Sequence, residues 1–157
     1  MLRALKIPGM VIGFVAGLIV GALAAVGGAP TGFIIIAGLG LGIPLAIFGV
    51  IYDVLLDAGK LNFGYAAPTA LYGVLTFPIA RLVQELLLTA VFGQGITLQQ
   101  EANVLQFLIY QGIMGFGYGI GFLMIHGQII EMSAWRQYRK HVKEAGNKQP
   151  QPAEKQA

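Results

Sequence analysis

Residues 8–26 read PGMVIGFVAGLIVGALAAV, and Gly9, Gly13, Gly17 and Gly21 stand in them at strict four-residue spacing. On an α-helix each such step advances about 40° past a full turn, so the four glycines wind into one narrow groove in which a second helix can lie backbone to backbone. In a water-soluble helix each interior glycine costs about 0.8–1.0 kcal/mol relative to alanine. In lipid, small-xxx-small stripes are a route to close helix association. The stretch therefore predicts a membrane helix with a packing face.

The rest of the chain extends that reading. More than half of the 157 residues are hydrophobic, 11% are charged and the mean hydropathy is +0.72, a composition of membrane proteins. Four hydrophobic stretches lie at about residues 8–26, 33–52, 66–92 and 104–130, each long enough to cross a hydrocarbon layer of about 30 Å. They predict an all-α, polytopic integral membrane protein: a four-helix transmembrane bundle with glycine-stripe packing over residues 1–131. A basic cytoplasmic tail over 132–157 follows, disordered beyond about residue 146, where Gln, Pro and Lys leave nothing to bury.

Basic residues set the orientation. Arg3 and Lys6 precede the first stretch, Lys60 lies between the second and third, and Arg136, Arg139, Lys140, Lys143, Lys148 and Lys155 follow the fourth. The other two connections hold no Lys or Arg, so the positive-inside rule puts both termini and the middle connection in the cytoplasm. A bacterial cytoplasmic membrane is expected, since no transit peptide or retention signal is visible. The basic start, the apolar run and Ala22-Leu23-Ala24 also resemble a cleavable secretory signal, which would leave three spans.

The second stretch repeats the small-residue theme at Gly38 and Gly42, and its partner across the short GGAPTG turn is the first. Pro44 inside it removes a backbone donor and predicts a bend. Asp53 and Asp57 close the stretch, four apart on one face, with Lys60 beyond. They read as a solvated helix end, with a cation or acid–base site as the sharper alternative.

The third stretch conflicts with lipid. Arg81 lies near its centre, and Gln84, Glu85 and Thr89 share its face at three- and four-residue steps. A central arginine costs about 2.5–3.5 kcal/mol to insert, so this polar seam is expected to point into protein. Arg81 and Glu85 can neutralise each other. On the fourth stretch, Tyr110 and Tyr118 are expected to complete the seam, and Gly117 and Gly121 to form the packing face. His126 reads as an interfacial hydrogen bonder near the cytoplasmic boundary. Trp135, Arg136, Arg139, Lys140 and Lys143 continue at helical spacing as contacts for headgroups, anionic lipid or a partner.

Several chemistries are excluded by what the chain lacks. It has no cysteine, so it has no disulfide, thiolate metal site or iron–sulfur cluster. With His126 and His141 as its only histidines, one chain supplies no intramembrane bis-histidine haem site. Zinc-hydrolase and phosphate-loop patterns are missing as well. No catalytic residue, cofactor, metal or nucleic-acid partner is expected. Glycine-rich hairpins of this length invite comparison with the proteolipid rotor rings of rotary ATPases. However, the carboxylate stands beside an arginine on the third helix and the two hairpins do not repeat.

Three functions remain. The first is a non-catalytic accessory, assembly or stabilising subunit of a larger membrane complex, for example a respiratory, transport or envelope-synthesis assembly, with other membrane subunits or further copies of itself as partners. The second is a small oligomeric carrier or channel that uses the Arg81/Glu85 seam. The third is a lipid-acting membrane enzyme built on Asp53, Asp57, His126 and Glu131.

Overall fold

The computed structural model describes residues 8–61, 65–93 and 104–147, with side chains described as far as Met132 and at Arg139. Four helices account for nearly all of them: α1 (Pro8–Val26), α2 (Thr31–Asp57), α3 (Ala66–Phe92) and α4 (Val104–Asn147). No strand occurs among the described residues. All four helices are long and apolar enough to cross a membrane, α4 through its portion Val104–Met132. The segment expected to be disordered beyond residue 146 lies almost wholly outside the described residues, and α4 runs unbroken into Asn147.

The helix ends follow from local chemistry. α1 begins with Pro8, whose missing N–H would have had no intrahelical partner there. It ends in a Schellman turn in which Gly28, at φ 77°, donates to the Ala25 carbonyl and Ala29 donates to that of Ala24. α2 ends the same way: Gly59 (φ 67°) donates to Leu56 and Lys60 to Leu55. Its helix thus runs to Asp57, five residues past the boundary expected near residue 52.

α1 and α2 form one antiparallel hairpin and α3 and α4 a second. α2 lies against α3, and α1 meets α4 over a shorter stretch. Within the first hairpin Gly9, Gly13, Gly17 and Gly21 are all buried. A methyl group built on Gly13 would overlap the Leu45 carbonyl, and one on Gly17 would overlap the Gly42 backbone. Farther along the two helices separate: a methyl on Gly21 would sit 3.1 Å from Gly38 Cα, and one on Gly38 would find 3.5 Å to Gly21 Cα, an ordinary contact.

The second hairpin corrects the expected register. A methyl on Gly73 or Gly115 would overlap the other's carbonyl, and one on Gly119 would lie 2.7 Å from the Thr69 carbonyl. Gly117 and Gly121, expected to pack, have no atom within 4 Å of where a Cβ would stand, and Gly117 is exposed. Two residues along a helix are about 200° apart around it, so glycines at alternating positions offer a small-residue face on both sides. Large neighbours break the tie: Phe107 and Phe122 are buried on the side of Gly115 and Gly119.

Two apolar clusters fill the interior. Ile12, Tyr52 and Phe122 form one, and Leu41, Leu45 and Ala80 the other. The outer surface remains apolar, with Leu23 at 65%, Leu75 at 67% and Ile113 at 68% exposure, where a water-soluble domain would be polar.

Candidate functional site

Two buried polar clusters stand out. The first sits where the start of α1, the end of α2 and α4 come level. Asp53 has 1% of its surface exposed and His126 none. The backbone N–H of Gly9 donates to Asp53 Oδ2 at 2.9 Å, and His126 Nε2 lies 2.6 Å from Oδ1. Gly9 is the second residue of α1, so its N–H is one of those a helix start leaves without an intrahelical partner. A carboxylate from α2 caps it here, and the negative charge meets the positive end of the α1 dipole.

Aromatic rings enclose this junction. Phe122 stacks on the His126 imidazole at 5.5 Å between centroids, and Tyr52 meets it edge-on at 5.7 Å. The Tyr52 hydroxyl pairs with Thr69 Oγ1 of α3 at 2.7 Å, and Tyr72 donates to the Phe48 carbonyl of α2 at 2.7 Å. The pair is thereby sealed from water and tied to all four helices. Asp53 is therefore a buried clamp, not part of the solvated helix end that was expected. Of the four acid–base candidates of the enzyme reading, Asp53 and His126 meet in this buried pair, whereas Asp57 and Glu131 are exposed, as is Lys60.

The second cluster is the seam on α3. Arg81 donates to Gln84 Oε1 and lies 3.8 Å from Glu85 Oε2; Glu85 and Gln84 are each 1% exposed. Gln84 Nε2 donates to the Ala37 carbonyl of α2 at 2.5 Å. Gly40 lies beside that reach, and a Cβ there would stand at an ordinary contact distance of 3.5 Å from Gln84 Cγ.

The seam therefore faces α2, which corrects the expectation that tyrosines of α4 complete it. Tyr110 is 58% exposed on the outer face. Tyr118 packs on Phe77 at 5.4 Å and Phe122 at 5.9 Å, within the aromatic interior. Thr89 leaves the seam too: it is exposed and its hydroxyl returns to the Glu85 carbonyl at 2.8 Å.

Between the two clusters the interior is nearly full. A cavity of about 10 Å³ lies among Leu45, Phe48, Tyr72, Tyr118 and Phe122, room for about one water. Larger concavities open outward and are apolar. One, of about 590 Å³, runs along α3 and α4 by Val74, Ile109, Gly112 and Phe116; another, of about 340 Å³, along α1 and α2 by Val11, Phe14 and Ile47. Among the described residues no group of three His, Asp or Glu stands close enough together to hold a metal ion. On the α4 extension Arg139 is exposed, while the side chains of Trp135, Arg136, Lys140 and Lys143 lie outside the described set.

Comparison with models of protein families, with curated proteins and with solved structures found no match.

Proposed function

We propose that this chain is an integral membrane protein whose role is structural: an accessory or assembly subunit that presents apolar helix faces to a larger membrane complex. The observation that carries the reading is the use made of the buried polar groups. Asp53, His126, Tyr52, Tyr72 and Gln84 each bind a different helix from their own, and Arg81 and Glu85 bind within α3. Hydrogen bonds between spans are worth about 0.6 kcal/mol each on average and at most about 1.7, so several together fix one arrangement. The glycine zipper of α1 and α2 supplies the close approach that lets dispersion act in lipid.

At one end of the bundle the start of α1, the end of α2, the start of α3 and the α4 extension lie beside Asp53 and His126. Lys60 and the basic residues of α4 belong to that end, which the positive-inside rule assigns to the cytoplasm.

The carrier reading needs a route past Glu85 and the enzyme reading needs a substrate at Asp53 and His126. The close packing around both clusters favours neither. The test is gentle detergent extraction of the tagged chain from its native membrane, with native mass measurement and identification of whatever copurifies. A stoichiometric set of other subunits is expected. Material without any other protein would overturn the accessory role.

A further inference from the structure

Tyr118 packs against both apolar clusters of the interior, with its ring on Phe77 and Phe122. Gly115 and Gly119 of α4 approach Gly73 and the Thr69 carbonyl of α3, which brings Tyr118 level with Tyr72. Among the described residues the Tyr118 hydroxyl has no hydrogen-bond partner. A tyrosine packed into an interior usually finds one for its O–H. The cavity of about 10 Å³ lies beside it, and Thr69, Tyr72 and Thr76 of α3 line the same space.

The three hydroxyls of α3 differ in what they have left to give. Thr69 Oγ1 is taken up by the Tyr52 hydroxyl and by the Tyr65 carbonyl, to which it donates. Tyr72 spends its proton on the Phe48 carbonyl and Thr76 on the Tyr72 carbonyl, so each of these two oxygens still has lone pairs and no proton. Tyr118 retains its proton. A group that serves all three must therefore donate twice and accept once. Water does this: its two protons go to Tyr72 and Thr76, and a lone pair receives the proton of Tyr118.

We infer that this cavity is a binding site for one water molecule, held by Tyr118, Tyr72 and Thr76. Its volume of about 10 Å³ meets the lower limit of about 10–15 Å³ for a single water and leaves no space for a larger ligand. Three hydrogen bonds are the usual number for a buried water, whereas a cavity lined only by apolar groups stays dry. The water joins α4 to α3 about 12 Å along α4 from the bond between His126 and Asp53. Because Tyr72 also holds the Phe48 carbonyl of α2, one water completes a link among three helices. The inference rests on the packing of the bundle and is independent of the accessory role.

A structure of the full chain at a resolution that shows ordered water is the direct test. One peak is expected within about 2.5–3.0 Å of Tyr118 Oη, Tyr72 Oη and Thr76 Oγ1. No peak there, or a direct bond from Tyr118 Oη to a protein oxygen, would overturn the site. Unfolding of the full chain by dodecyl sulfate in maltoside micelles tests it separately. A buried hydroxyl without a partner costs stability, so without the water Tyr118→Phe would leave the unfolding constant unchanged or lower it. With the water, Tyr118→Phe is expected to raise that constant about threefold to tenfold. Combining it with Thr76→Val should raise it by less than the product of the two single effects, because one water is lost once. An unchanged or lowered constant for Tyr118→Phe, or fully multiplicative effects of the pair, would overturn the inference.

Discussion

Replacing Asp53 with alanine strands two buried donors at once, the Gly9 backbone N–H and His126 Nε2. In water-soluble proteins a hydrogen bond to a charged group contributes about 1.5–3 kcal/mol; between membrane helices the values are lower, about 0.6 on average and about 1.7 at most. Two such bonds give a loss of about 1–3 kcal/mol, and no water can replace them where His126 has no exposed surface. Asp57, one helical turn on, is exposed, so Asp57→Ala should stay within about 0.5 kcal/mol. The assay is dodecyl sulfate titration in maltoside micelles, followed by the near-ultraviolet dichroism of the Tyr52, Tyr118 and Phe122 cluster. A double-mutant cycle with His126→Ala should return a coupling above about 0.5 kcal/mol. Equal midpoints for Asp53→Ala and Asp57→Ala would refute the clamp.

The same titration checks three further expectations. Gly13→Ala forces a methyl into the Leu45 carbonyl and should cost about 1–3 kcal/mol, whereas Gly38→Ala, which finds an ordinary 3.5 Å contact, should change stability by less than about 0.5 kcal/mol. Gly115→Ala should destabilise the second hairpin by a similar 1–3 kcal/mol or so, with Gly117→Ala near neutral for the isolated chain because nothing lies within 4 Å of its Cβ position. Gln84→Leu removes both the bond to the Ala37 carbonyl and the acceptor of Arg81 and should cost about 1–3 kcal/mol, while Tyr110→Phe on the outer face should cost nothing measurable.

The number of helices and the extent of two of them were legible because hydrophobic run length is a strong signal, whereas α2 and α4 run past the apolar stretches that announce them, to Asp57 and Asn147. Residues 8–26 and 66–92 bound α1 and α3 as expected. What escaped was rotation. Small residues at 115, 117, 119 and 121 leave two faces of α4 equally able to approach α3, and only the bulk of Phe107 and Phe122 decides between them. The seam on α3 was legible as a face, but its direction was not. That direction is set by a bond to the backbone carbonyl of Ala37, and a main-chain acceptor leaves no residue-type signal in the sequence.

Asp53 was misread for a related reason. A carboxylate near a helix end, followed by Asp57 and Lys60, looks solvated, and its burial depends on a partner 73 residues away. In an up-down bundle the end of α2, the start of α1 and residue 126 of α4 come level. A lone histidine and an aspartate at one height on antiparallel helices was the available clue.

The central claim is that the buried polar groups hold helices together and carry nothing across the membrane. Its most direct test is flux in proteoliposomes holding the purified chain, with a proton gradient and mixed monovalent ions, comparing the wild type with Glu85→Gln. The account predicts that both match empty vesicles. A proton or ion flux above that baseline, abolished by Glu85→Gln while the bundle stays folded, would contradict it.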